Sequence, residues 1–103
     1  MAEVVWRARA VRHLTQIVDY IRDRNPPAAV RYLAELKQAC ESLGEFPEKA
    51  PRYDARYRAL VFRNHVVFYE YVAASEKVLI TAVIDARRDV ATVMRKLDDR
   101  SPH

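Results

Sequence analysis

Five arginines and one histidine bracket the most apolar stretch of the chain: Arg56, Arg58, Arg63, His65, Arg87 and Arg88. A guanidinium stays protonated and presents a planar fork of donors, which suits two-pronged contact with phosphate or carboxylate. Such charge could steady the scissile phosphate while a 2′-hydroxyl cleaves RNA, provided a general base and a general acid stand nearby. In that reading His65, Arg58, Arg63 and Arg87 form the catalytic set. Proton transfer is its weak point. No Tyr or His follows Arg88 before the terminal His103, which leaves His65 as the serious candidate. A partly buried sheet histidine, hydrogen-bonded to a neighbour, is the competing reading of His65. Without proton transfer, Arg87, Arg88, Arg56, Arg58 and Arg63 make a binding surface for a target. Asp85 and Asp89 flank Arg87 and Arg88, so a local ion-pair cluster competes with an exposed phosphate site there.

Other side chains exclude more than they offer. One glycine in 103 residues rules out Walker and Rossmann phosphate loops. A single cysteine, Cys40, rules out an internal disulfide and a multi-cysteine metal site. The histidines, His13, His65 and His103, show no ligand spacing, so no metal or cofactor is expected. Cys40 falls on a helical seam as a small core residue, with no histidine near it in sequence. Tyr57, Tyr69 and Tyr71 could stack on bases, but tyrosines on a half-covered sheet are more often packing residues with wet hydroxyls. The net charge of +4 and pI near 9.5 favour an acidic partner. The apolar run that ends before Asp85 is too short for a membrane span and is broken by Thr81. The N-terminus lacks a basic-then-apolar leader pattern, so a cytoplasmic protein without membrane attachment is expected.

The elements that must position these groups follow from period and punctuation. Residues 3–7 read as a short strand. Residues 8–24 read as a helix striped by Val11, Leu14, Ile17, Val18 and Ile21, with Arg9, Arg12, His13, Gln16 and Asp19 outside. No good N-cap precedes it. Asn25-Pro26-Pro27 stops it and starts a second helix, which runs to about Leu43 on a seam of Ala29, Leu33, Leu36, Cys40 and Leu43. Gly44 then reads as a left-handed cap before Phe46-Pro47, and residues 45–55 as a loop.

Residues 56–62, 65–72 and 77–85 read as strands. Arg63-Asn64, with Asn taking positive φ, and residues 73–76 turn between them. Links this short force an antiparallel meander. On the last strand Val78, Ile80, Ala82 and Ile84 should face one way, and Leu79, Thr81, Val83 and Asp85 the other. Both sets are largely apolar, so that strand is covered on both sides or is central, with one face awaiting a partner. On the middle strand Val66, Phe68, Glu70 and Val72 oppose His65, Val67, Tyr69 and Tyr71. A short helix over residues 90–97 and a frayed tail over 98–103 complete one α+β domain, 1–103: strand, α-helical hairpin, three-stranded antiparallel meander.

This layout resembles the ParE/RelE superfamily of bacterial type II toxins over about residues 4–97. The resemblance is carried by DYIRDRNPPAA (19–29), CESLGEFPE (40–48), YRALVFRNHVVFYEY (57–71) and VLITAVIDARRDV (78–90), in this order. The small residue followed by Arg and Asp after the last strand, Ala86-Arg87-Arg88-Asp89, is similar to the ParE branch. Where that branch commonly has His-Gly, this chain has Asp85-Ala86. The resemblance implies a toxin neutralised by a cognate antitoxin in a hetero-oligomeric complex. ParE-like members poison DNA gyrase; RelE-like members cleave mRNA on the ribosome. A toxin-like protein that only binds its antitoxin is a third possibility. The basic exit is present and the proton-transfer set is thin, so gyrase inhibition by binding is expected, with ribosome-dependent endoribonuclease activity as the alternative. The antitoxin is expected on the sheet face that the helical hairpin leaves uncovered.

Overall fold

The computed structural model describes residues 1–100, with elements in the order β1 (Glu3–Trp6), α1 (Ala8–Arg24), α2 (Pro26–Glu45), β2 (Arg58–Phe62), β3 (His65–Val72), a 3-10 turn (Ala73–Ser75), β4 (Lys77–Asp85) and α3 (Val90–Arg100). The α+β architecture is the expected one. Of the frayed tail, residues 98–100 continue α3 and 101–103 lie outside the described residues.

The helical hairpin turns on Asn25. Its backbone N–H closes α1 onto the Ile21 carbonyl at 2.7 Å, and its side chain accepts from Ala28 N at 3.2 Å to open α2 behind Pro26. At the other end of α1, Arg7 occupies the N-cap position with no side-chain cap bond. Val11 is exposed at 47%, and the buried face of α1 centres on Ala10 and Leu14 instead of the stripe that counted Val11. His13, read as an outer residue, is half-buried.

Gly44 corrects the cap reading. No glycine in the chain has positive φ; α2 continues through Gly44 to Glu45 and is closed by Phe46 N donating to Ser42 O at 3.0 Å. Glycine serves close approach here. Ala2 N donates to Gly44 O at 2.7 Å, and a Cβ on Gly44 would stand 2.6 Å from Ala2 O. The N-terminal segment thus lies against the last turn of α2.

The sheet order is β1-β4-β3-β2, with β1 parallel to β4 and the rest antiparallel. Between β3 and β4 the register breaks. Phe68 pairs with Ala82, but Tyr69 pairs with Ile80, so Thr81 is an extra residue in β4. The expected alternation on β4 therefore reverses at Thr81. Val78, Ile80 and Val83 join the core under the helical hairpin, while Ala82 and Ile84 join the core on the opposite face. The two sets expected on β3 hold, with Val67 and Tyr69 toward the hairpin and Val66 and Phe68 away from it.

That opposite face is not left open. Met94 of α3, flanked by Val90, Val93 and Leu97, packs there against Tyr57, Phe68, Ala82 and Ile84. The chain itself covers the surface that had been expected to receive an antitoxin. No helix among the described residues is long and apolar enough to cross a membrane.

Candidate functional site

At the end of the sheet where β3 begins and β4 leaves, His65 pairs with Asp85. Because the bulge has reversed the alternation, Asp85 shares with His65 the face turned toward α1 and α2. A cavity of ≈540 Å³ opens there between His13, Gln16 and Tyr20 of α1, Tyr32 of α2, the β2–β3 turn, and the β4 exit with Arg87 and Arg88. Arg63, His65, Arg87 and Arg88 of the sequence-derived set meet around it. Arg56 and Arg58 do not line it.

His65 is held from one side. Its Nδ1 lies 2.7 Å from the Tyr32 hydroxyl, with the rings edge to face at 5.6 Å. Burial pushes the Tyr32 phenol up to about 12, so the hydroxyl keeps its proton. Burial lowers the His65 pKa; Asp85 opposes that shift and Arg87 reinforces it. The imidazole is neutral at pH 7.

Arg87 and Arg88 behave differently. Arg87 forks onto Asp85, Nε to Oδ1 at 3.1 Å and Nη2 to Oδ2 at 2.8 Å, and its backbone N–H reaches Oδ1 at 2.9 Å. These bonds hold the Asp85 carboxyl well below the usual range. Asp89 takes no part: it caps α3 by accepting from Thr92 N at 3.2 Å and Thr92 Oγ1 at 2.7 Å. Arg88 is exposed, and its side chain has no hydrogen bond or ion pair among the described residues. The four-residue cluster therefore reduces to one pair, Arg87 with Asp85, beside an unpaired Arg88.

The remaining arginines do structural work. Arg63 pairs with Glu35 of α2 and stands 5.3 Å from the Phe62 ring. It also carries the turn's positive φ, 52°, which the sequence had assigned to Asn64. Arg58 has a largely buried side chain that donates to the carbonyls of Ala50, at 2.8 Å, and Glu48, at 3.3 Å, tying the Pro47–Pro51 loop to the sheet. β2 starts at Arg58, two residues later than expected. Arg56 and Tyr57 lie in an Asp54-centred turn before it, both N–H groups donating to Asp54 Oδ1. Arg56 bonds Glu70 at 3.0 Å.

Of the candidate stacking tyrosines, Tyr57 and Tyr69 are core residues, and Tyr69 donates to Pro47 O at 2.9 Å. Cys40 is fully buried, its thiol pushed up to about 12 by burial. Sequence reasoning missed Tyr32 and His13. Tyr32 lies three residues after buried Ala29 and four before buried Leu36, a spacing as regular as the one that selected Leu33.

β1 ends at Trp6, opposite Ile80, and farther along β4 the N–H of Val83 finds its acceptor in His13 Nδ1 at 3.2 Å. That bond needs an unprotonated Nδ1. Burial, then Arg9, Arg12 and Arg88, lower the His13 pKa. Both histidines are thus depressed below their ordinary 6.5. Their contribution to stability is complete above 6.5 and is lost as pH falls from there through the folded values, because the unfolded chain takes up the protons first. A thermal melt should fall between pH 7.5 and 5, and His13→Ala should flatten that fall. An unchanged slope in the variant would remove His13 from this role.

The model of the family described as "ParE toxin of type II toxin-antitoxin system, parDE" matches residues 4–90. The chain is 45% identical over 73 residues to "Toxin RelE2" of Caulobacter vibrioides, covering 71% of this chain and 83% of that protein. Among solved structures, the "Chromosomal ParDE TA system from P. aeruginosa" superposes with a TM-score of 0.73 at 14% identity, over 84% of this chain and 98% of that one. The isolated RelE toxin of E. coli superposes with a TM-score of 0.61 at 15% identity, over 95% and 99%. The two superpositions show a shared fold; the family match and the sequence relative show that the chain belongs to the ParE toxin family of type II toxin–antitoxin systems.

Proposed function

We propose that this toxin acts by binding, that its target is DNA gyrase, and that a cognate antitoxin neutralises it. One observation carries the reading: Arg88 stands unpaired at the β4 exit, while the groups an RNA-cleaving site would need are already engaged. His65 is hydrogen-bonded through Nδ1 to Tyr32, Arg87 is clamped to Asp85, Arg63 is paired with Glu35, and Arg58 lies outside the cavity. With Nδ1 tied to Tyr32, His65 has one ring nitrogen left for proton transfer. A free guanidinium beside a half-apolar cavity is instead a good anchor for a protein surface or a phosphate. The match to the ParE family supports the same choice of target.

For the antitoxin, the groove between α1 and α2 offers an apolar seat of Trp6, Val11, Leu14, Val18 and Leu33. Exposed Val11 suits a partner's apolar residue there.

The purified chain should block supercoiling of relaxed plasmid by gyrase, or accumulate cleaved plasmid, and should leave ribosome-bound mRNA intact. If instead mRNA is cut at the ribosomal A site and His65→Ala stops the cutting, the endoribonuclease reading replaces this one. If neither occurs while antitoxin still binds, the chain is a toxin-like binder only.

A further inference from the structure

A second concave surface lies at the start of α1, away from the Arg88 cavity. We propose that this basic hollow binds the phosphate backbone of duplex DNA through Arg7, Arg9, Arg12 and Arg56. The hollow measures ≈470 Å³ and is lined by those four arginines with Ala8, Tyr57 and Thr81. No carboxylate lines it among the described residues. The side chains of Arg7, Arg9 and Arg12 make no hydrogen bond or ion pair among the described residues, and Arg56 shares its guanidinium with Glu70 at one edge.

Left to itself, this arrangement opposes folding. Arg9 and Arg12 are like charges one helical turn apart, and α1 has no acidic residue in its first turn to offset the positive end of the helix dipole. An anion seated among the forks reverses the sign of each of these terms. Arg9 and Arg12, like Arg88, also disfavour a proton on His13.

The lining selects among anions. A peptide would want an apolar seat, which the α1–α2 groove has and this hollow lacks. Single-stranded nucleic acid would want exposed aromatic faces, yet Tyr57 is only 2% exposed. Phosphates of a duplex, whose bases stay stacked inside, need only spaced positive forks. The proposal goes beyond the gyrase reading and is tested without that enzyme.

The test is fluorescence anisotropy of a short labelled DNA duplex with the full chain, over a salt series. Arg9→Ala with Arg12→Ala is compared with Arg31→Ala with Lys37→Ala, which removes the same charge from exposed positions on α2. The hollow pair should weaken binding by about tenfold or more and reduce the slope of log K against log salt by about 2, since each lost phosphate contact contributes about 0.9. The α2 pair should change both far less. A thermal melt of the hollow pair should lie at or above wild type, because a repulsion has been removed. Should that pair fail to fold, Arg7→Ala alone should still reduce the slope by about 1. Equal weakening by both pairs, tighter binding of the matching single strand, or no duplex binding by wild type would each overturn the proposal.

Discussion

Arg88→Ala should release the growth arrest caused by the toxin and leave the fold intact. Its guanidinium is exposed and makes no hydrogen bond or ion pair among the described residues, so removal should shift stability by only about 0.5 kcal/mol. If the same group anchors the target, truncation costs about 2 kcal/mol or more of binding, roughly thirtyfold in affinity. Arg88→Lys should recover only part of the effect, because an ammonium cannot reproduce two-pronged contact. Arg87→Ala is the informative contrast: it strips Asp85 of both guanidinium bonds, leaving only the backbone N–H of residue 87, and so disturbs the turn as well as the surface. Growth under inducible expression, a thermal melt and antitoxin capture read the three quantities separately. A folded Arg88→Ala protein that still arrests growth would exclude the β4 exit as the contact.

Gly44→Ala should destabilise the protein, against the usual sign for glycine within a helix. Alanine at an ordinary helix position gains about 1 kcal/mol over glycine. At Gly44 the new methyl would meet the backbone oxygen of Ala2 at 2.6 Å, in a segment fixed by the Ala2–Gly44 hydrogen bond. Backbone cannot swing aside as a side-chain tip can, so a net loss of about 1–3 kcal/mol is expected. For a domain of this size that lowers the melting temperature by about 4–8 °C per kcal/mol. Amide exchange should show β1 protection falling first. A variant that melts at or above wild type would mean that the N-terminal segment yields freely.

Much of the fold was legible because its signals are local. Asn25-Pro26-Pro27 marks a helix boundary by chemistry that acts within four residues, and α1 ends and α2 starts where that chemistry puts them. The failures share the opposite character. Gly44 before Phe46-Pro47 carries every local sign of a helix cap, and only the distant Ala2 gives it another use. His13 looked solvent-facing because a stripe counted from apolar residues omits a histidine whose acceptor nitrogen serves Val83, seventy positions away. Arg58 looked like a target contact because its charge is visible in sequence. The loop carbonyls of Glu48 and Ala50, which need its donors, become visible only when residues 47–51 are folded back beside it. At the site, the residue types at the β4 exit were legible, but the division of labour between Arg87 and Arg88 was not. It depends on which way Asp85 points.

That direction is a matter of parity. Thr81 adds one residue to β4 and none to β3, so every side chain downstream is half a pleat out of phase with those upstream. Deleting Thr81 would keep nearly all of the strand's apolar content. It would nevertheless send Asp85 toward α3 and bring Ile84 under the helices, leaving His65 with no acid beside it. The place of the Arg87 clamp is thus written as an odd or even count along β4, which length changes can alter and ordinary substitutions cannot.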